Sequence, residues 1–127
     1  MNGVASPVRV LLVDDEALFV DTLAKILRRR GFYVVVTHDA AAGHEALGAS
    51  RFDVLVLDVK MPGTDGLTAL AQLREEQPDL RVILMTGHLS LDDEREAARL
   101  GAGAYLLKPV PVEELVACIA ALAARPS

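Results

Sequence analysis

The sequence predicts an α/β domain in which a doubly wound, five-stranded parallel sheet carries helices on both faces. Five short apolar runs alternate along the chain with five helix-like segments, a pattern typical of parallel strands joined by right-handed crossovers. The apolar runs show no alternation with polar residues, which indicates strands buried on both faces. Of the 127 residues, 52% are hydrophobic and only 4% are aromatic, so the core is expected to be aliphatic.

The first half of the chain contains three predicted strands and two predicted helices. The run VRVLLV, which starts at Val8, is the first strand and ends directly before three acidic residues. ALFVDTLAKILRRRG is the first helix, because its apolar residues have helical spacing and Gly31 supplies a stop. FYVVVT is the second strand, Asp39 can cap a helix over 40–49, and DVLVLD (53–58) is the third strand. The residues expected on the apolar face of the first helix are Leu18, Phe19, Leu23, Ile26 and Leu27.

The second half continues the alternation. The loop KMPGTDG leads into the helix LTALAQLREEQ, which Pro78 closes, and RVILMT is the fourth strand. Ser90 or Asp92 can start a helix that ends near Gly101, AYLLKP is a short fifth strand, and VEELVACIAALAA is the final helix with Pro111 at its first turn.

Residues 8–124 are therefore expected to form one folded domain. Residues 1–7 are predicted to be a flexible lead and residues 125–127 a short tail.

Composition argues against several classes of function. The formal net charge of −5 makes direct nucleic-acid binding by this domain unfavourable. The single cysteine, Cys118, cannot form an internal disulfide, which is typical of a reducing compartment. No apolar run reaches the roughly 18 residues of a membrane span, and the amino terminus does not resemble a signal peptide, so no membrane partner and a cytoplasmic location are expected.

Polar side chains follow four of the five predicted strands. Asp14 and Asp15 follow the first strand, Asp58 closes the third, Thr86 closes the fourth and Lys108 closes the fifth. The carboxyl ends of parallel strands share one edge of a sheet, and ligands of open α/β sheets bind there. We therefore expect these side chains to lie close together.

Three carboxylates at one edge repel one another unless a cation intervenes. A hard divalent ion with oxygen ligands resolves this conflict, and Mg²⁺ is favoured because it uses few carboxylates and keeps several waters. With Lys108 and the Thr86 hydroxyl, the cluster has the groups that phosphoryl transfer needs for positioning and charge neutralisation. Asp58 can serve as the nucleophile and become an aspartyl phosphate.

Four sequence blocks together resemble the receiver domain of two-component response regulators. They are LLVDDE at 11–16, VLDVKMPGTDG at 56–66, MTG at 85–87 and YLLKP at 105–109. The likeness covers nearly the whole chain and implies a flavodoxin-like sheet with a cis bond between Lys108 and Pro109. It implies a phosphorylation-activated signalling switch rather than a turnover enzyme.

The resemblance also implies a role for each site residue. Asp58 would be the phosphoacceptor; Asp15, Asp58 and the backbone carbonyl of Lys60 would bind Mg²⁺, with Asp14 acting through a metal-bound water. Lys108 and Thr86 would bind the phosphoryl oxygens.

The resemblance further implies partners, a switch residue and an output surface. The phosphoryl donor would be a phosphohistidine on a sensor histidine kinase or phosphotransfer protein. Tyr105 would be the switch aromatic, and the surface formed by residues 90–124 would contact an output partner or a second phosphorylated copy. Lys60 and His88 would flank the path of the attacking water and tune the lifetime of the phosphorylated state.

Three other functions compete with this interpretation. A haloacid-dehalogenase-type phosphohydrolase needs a second acid two positions after the nucleophile, where this chain has Lys60. A module that keeps the fold without phosphorylation would lack site residues, yet all of them are present. A flavodoxin-like cofactor binder needs a hydroxyl-rich phosphate loop after the first strand, where Asp14 and Asp15 stand.

Overall fold

A central sheet of five parallel strands forms the middle layer, as the alternation of the sequence predicted. This is a computed structural model, and it describes residues 6–61, 64–88 and 90–124. Residues 1–5 of the predicted lead and the whole predicted tail, 125–127, lie outside the described residues. The five strands are β1 Arg9–Val13, β2 Tyr33–Thr37, β3 Val54–Asp58, β4 Arg81–Thr86 and β5 Ala104–Leu107. The five helices are α1 Ala17–Arg29, α2 Ala40–Ala49, α3 Gly66–Glu76, α4 Leu91–Arg99 and α5 Val112–Ala123.

The strands lie in the order β2-β1-β3-β4-β5, so the chain reverses its direction of winding between β1 and β3. Leu11 is paired with Val35 on one side and with Leu55 on the other, which fixes the register of the three strands. The gap outside the carboxyl ends of β1 and β3 is the place where doubly wound sheets bind ligands.

The apolar strands divide the core into two halves. Successive strand residues point to opposite faces, so Leu55 and Leu57 pack with α2, α3 and α4, whereas Val54 and Val56 pack with α1 and α5. Every residue of β3 is buried. A strand covered on both faces has no polar side, which is why these runs showed no alternation.

The predicted apolar face of α1 was partly wrong. Leu18 is 85% exposed and Phe19 is 37% exposed, although Leu23 and Leu27 are buried as expected. The buried residues of the helix are Val20, Leu23, Ala24 and Leu27. Leu23 and Leu27 belong to both the predicted face and the buried face, and the position of the sheet decides which of the two faces is covered.

Helix starts follow the predicted capping chemistry at two helices. The Asp39 carboxylate accepts a hydrogen bond of 2.7 Å from the backbone N–H of Ala42, and the Ser90 hydroxyl accepts one of 3.3 Å from Asp93. The loop before α3 contains a feature that the sequence did not predict, a two-residue antiparallel pairing of Lys60–Met61 with Thr64–Asp65.

Candidate functional site

The carboxyl edge of the sheet brings together the side chains that the sequence placed there. Asp14 directly follows β1, Asp58 is the last residue of β3 and Thr86 is the last residue of β4. Lys108 follows β5, and its backbone N–H donates to the Thr86 carbonyl at 2.7 Å. The peptide bond between Lys108 and Pro109 is cis, as the resemblance implied.

Burial distinguishes three of these side chains from most polar residues. Among the described residues, the buried polar or charged ones are Asp14, Asp58 and Thr86, at 1%, 4% and 1% exposure. A buried carboxylate is unfavourable unless it is paired or hydrogen-bonded. The fold therefore holds two acids where they need a cationic partner.

Lys108 is the cationic partner that the protein itself supplies. Its ammonium nitrogen lies 3.0 Å from Asp14 Oδ2, 2.9 Å from Glu16 Oε1 and 3.2 Å from Asp58 Oδ2. Burial by itself would lower the pKa of Lys108, but the contacts with Glu16, Asp14 and Asp58 outweigh it and raise that pKa above its usual range. The lysine therefore stays charged and bridges the carboxylates.

Glu16 is a site residue to which the sequence reasoning assigned no role. One carboxylate oxygen each of Asp14, Glu16 and Asp58 lies within 4.8 Å of the others, a grouping that could hold a metal ion. Asp15 is exposed and does not belong to that group of three. The one sign of this role in the sequence was that Glu16 stands two residues after Asp14. In the structure, the Asp14 carboxylate accepts a hydrogen bond from the Glu16 backbone N–H at 2.9 Å.

The oxygen donors of this cluster suit a hard divalent cation. Mg²⁺ is bound in proteins by one or two carboxylates together with waters, and Asp14 and Asp58 supply buried carboxylates at the carboxyl ends of adjacent strands. The roles of Asp15 and of the Lys60 carbonyl as metal ligands stay predictions. Lys60 lies in the short pairing with Asp65, which fixes its backbone.

Thr86 is engaged with its own loop. Its hydroxyl donates to the His88 carbonyl at 2.9 Å and accepts the His88 backbone N–H at 3.1 Å. The His88 residue is exposed, two positions after Thr86 as the sequence placed it. The Thr86 hydroxyl would therefore have to leave these partners before it could bind a group on Asp58.

Tyr105 packs against the core half formed with α2, α3 and α4. Its hydroxyl is buried and has no hydrogen-bond partner of normal geometry within the described part of the chain, although Thr86 and the Ser90 backbone are near. Burial raises the pKa of the Tyr105 phenol, and the charge of Asp93 adds to that rise. An unpaired buried hydroxyl is unfavourable, and the role of Tyr105 as a switch residue stays a prediction.

Replacement of Tyr33 by phenylalanine is expected to isolate the titration of Tyr105, since the chain has two tyrosines. Tyr33 is 44% exposed and stacks on Arg9, a contact that phenylalanine can keep. The remaining phenol should ionise above the usual value of about 10, measured by ultraviolet absorbance against pH. Because the folded pKa is raised, stability should fall as the pH rises above about 10. A normal pKa for Tyr105 would contradict the burial of its hydroxyl.

Comparison with known proteins agrees with this geometry. Residues 10–120 match the family model described as the response regulator receiver domain. Among curated proteins, the chain is 38% identical over 118 residues to response regulator MprA of Mycobacterium ulcerans, covering 93% of this chain and 51% of that protein. It is also 38% identical over 124 residues to the transcriptional regulatory protein PrrA of Mycobacterium tuberculosis, covering 98% of this chain and 53% of that protein. The chain thus spans about half the length of these relatives.

Solved structures show the same similarity. A response regulator of Burkholderia pseudomallei, crystallised with a phosphorylated aspartic acid, a calcium ion and citrate, is 34% identical with a TM-score of 0.83, covering 88% of this chain and 66% of that one. A CheY-like receiver domain of Methanospirillum hungatei is 29% identical with a TM-score of 0.88, covering 93% and 94% of the two chains.

In the described residues, the helices lack the combined length and hydropathy that a membrane span requires.

Proposed function

The chain belongs to the receiver domain family of response regulators, and on this basis we propose that it is a signalling switch that accepts a phosphoryl group on Asp58. The observation that carries the proposal is the contact between the Lys108 ammonium and the buried carboxylates of Asp58 and Asp14. These groups combine a nucleophile with a fixed positive charge at the switch point of the sheet.

The proposed reaction is a phosphoryl transfer from a phosphohistidine to the carboxylate of Asp58. The bond between phosphorus and the Asp58 oxygen forms as the phosphorus–nitrogen bond breaks, and the histidine keeps the electron pair and takes up a proton. Lys108 lies 3.2 Å from Asp58 Oδ2, near enough to bind an oxygen of the arriving group. Thr86 would supply its hydroxyl after leaving His88.

Mg²⁺ would be held by Asp15, Asp58 and the Lys60 carbonyl, with Asp14 binding through water. When bound, the ion would neutralise charge on the transferring phosphoryl group. The calcium ion in the Burkholderia pseudomallei structure accompanies a phosphorylated aspartic acid, which supports a divalent ion beside Asp58.

The donor would be a sensor histidine kinase or a phosphotransfer protein, met in the cytoplasm. Two exposed apolar side chains, Leu18 and Phe19, stand at the start of α1, and the Lys108 nitrogen lies 5.1 Å from the centre of the Phe19 ring. They offer an apolar contact next to the phosphoacceptor for such a donor. Water would later attack the phosphorus, release inorganic phosphate and restore the Asp58 carboxylate, so the domain modifies itself rather than turning over a substrate.

The phosphorylated state would be recognised at the surface formed by residues 90–124, which includes α4, β5 and α5. Phosphorylation adds about two negative charges at pH 7 and would draw Thr86 toward Asp58, leaving space for Tyr105 to move. Leu91 and Leu107 are 71% and 48% exposed on this surface and suit an output partner or a second phosphorylated copy.

Substitution of Leu107 by serine should weaken self-association or partner binding of the phosphorylated domain, and unchanged affinity in both states would count against this surface.

Phosphorylation of the wild-type domain is expected to depend on Mg²⁺. Incubation with acetyl phosphate and Mg²⁺ should add the mass of one phosphoryl group to the intact protein, and a chelator should prevent it. Asp15→Asn should raise the Mg²⁺ concentration needed for half-maximal phosphorylation by about tenfold or more, because it removes a proposed carboxylate ligand. Equal phosphorylation with and without the chelator would refute the metal-assisted mechanism.

The lifetime of the phosphorylated state would depend on His88 and Lys60. His88 is exposed two residues after Thr86, where its side chain can meet the attacking water. Dephosphorylation of His88→Ala, followed by intact mass after removal of the donor, should proceed at a changed rate. An unchanged rate would remove His88 from this role.

A further inference from the structure

Glu16 binds the same lysine nitrogen that the proposed phosphorylation site needs. Its Oε1 atom lies 2.9 Å from Lys108 Nζ, the shortest of the three carboxylate contacts that this nitrogen makes. An ammonium group has three N–H donors, so Asp14, Glu16 and Asp58 together account for all of them. An oxygen of an arriving phosphoryl group can therefore accept a hydrogen bond from Lys108 only if it displaces one of these carboxylates.

The three carboxylates differ in the environment that each would have after its contact with Lys108 breaks. The Asp14 side chain is 1% exposed, so a released Asp14 would be a buried and unpaired charge. Asp58 is the residue that is phosphorylated, and the N–H that binds its own carboxylate oxygen stays there, so the phosphoryl oxygen has to displace Asp14 or Glu16. The Glu16 side chain is 61% exposed, so water can replace the lysine when the contact breaks.

The position of Glu16 is built into the start of α1. Its backbone N–H is held by the Asp14 carboxylate, the same carboxylate that binds Lys108 through its other oxygen. Glu16 is the residue that precedes the first turn of α1, but its side chain makes no capping hydrogen bond. The carboxylate is thus directed to Lys108 and is not needed to cap the helix.

We propose that Glu16 is a positioning residue that holds one donor of Lys108 in the unphosphorylated domain and releases it when the phosphoryl group arrives, and that it thereby slows phosphorylation of Asp58. This inference rests on the proposed function and extends it by a residue outside the predicted site. The contact competes with the phosphoryl oxygen for the lysine, and the negative charge of Glu16 also opposes an anionic donor.

The test compares Glu16→Gln with wild type in the rate of phosphorylation by acetyl phosphate at saturating Mg²⁺. The exposed ion pair is weak, so the rate should rise by about two- to five-fold. Glu114→Gln is the matched control, because it makes the same substitution in an exposed residue of the first turn of α5 and should leave the rate unchanged. An equal rise in both variants would mean a general charge effect and would overturn the proposal.

A double-mutant cycle decides whether Glu16 acts through the lysine. In a Lys108→Met background, Glu16→Gln should change the rate by less than about 1.5-fold, because the ammonium group that it restrains is gone. The same rise in this background as in the wild-type background would overturn the proposal.

A measurement without phosphorylation separates this inference from the proposed function. The Lys108 ammonium should give a slowly exchanging ¹⁵N NMR signal in the wild type, and Glu16→Gln should weaken it; an unchanged signal contradicts the proposed restraint. Absence of phosphorylation in the wild type overturns the proposed function and the kinetic part of the inference together. Normal phosphorylation of the wild type with the same rate in Glu16→Gln overturns the inference alone.

Discussion

Asp58→Asn is expected to abolish the gain of one phosphoryl group when the domain is incubated with acetyl phosphate and Mg²⁺. The carboxylate of Asp58 is the proposed nucleophile, and a neutral amide is a much poorer one. Asp58 is 4% exposed at the end of β3, and the Lys108 ammonium lies 3.2 Å from its Oδ2 atom. Asparagine has nearly the same shape, so it should test the charge and nucleophilicity of this atom with little change in packing. Intact mass spectrometry measures the result.

The control for Asp58→Asn is Asp79→Asn. Asp79 is exposed in the loop between α3 and β4, at the opposite edge of the sheet from Asp58. The control variant should be phosphorylated like the wild type. Thermal unfolding of both variants checks that neither has lost the fold. A phosphoryl group that still attaches to folded Asp58→Asn would show that another residue is the acceptor.

Gly66→Ala is expected to destabilise the domain by more than about 3 kcal/mol, although alanine favours helices over glycine. A Cβ atom on Gly66 would lie 2.3 Å from the Val59 carbonyl oxygen and 2.5 Å from its Cα atom. These are backbone atoms, which cannot turn aside as a side chain can. The Gly66 N–H also donates to that carbonyl at 3.0 Å, so the clash would break a contact that holds the start of α3. Urea unfolding measures the change.

Gly48→Ala is the matched control for Gly66→Ala. Gly48 lies within α2, and the nearest atom to its added Cβ would be the Glu76 carboxylate at 3.9 Å, an ordinary contact. This variant should be stabilised by about 0.5–1 kcal/mol, because the helix gains a residue of higher propensity. Equal stability of the two variants would mean that the close approach of Gly66 to Val59 is relieved by movement of the loop. Val59 follows Asp58, so the phosphorylation rate of Gly66→Ala should fall as well.

The pattern of apolar runs was sufficient to predict the five strands, the five helices and their layers. A strand with both faces covered has to be apolar throughout, and β3 is buried at every position. The same pattern was insufficient at the start of α1. Leu18 and Phe19 satisfied the helical spacing but lie at the exposed surface, because burial depends on where the neighbouring sheet and α5 stand.

The sequence was sufficient to predict those residues of the candidate site whose position follows from the end of a strand. Asp14, Asp58, Thr86 and Lys108 share one edge because parallel strands align their carboxyl ends. Glu16 was missed, since a residue three positions beyond a strand can point in several directions. The turn formed by the Asp14 carboxylate and the Glu16 backbone N–H selects the direction, and that hydrogen bond is a property of the folded loop.

The sequence by itself determined the class of fold, the edge at which the chemistry lies and the types of side chain present there, because these follow from periodicity and from the polarity of each strand end. Only the tertiary structure decided which carboxylates share Lys108, which face of α1 is buried and that Gly66 must pass close to Val59. These are contacts between segments distant in sequence or fixed by loop geometry. Their distances of about 3 Å depend on the packing of several elements at once, which no local pattern contains.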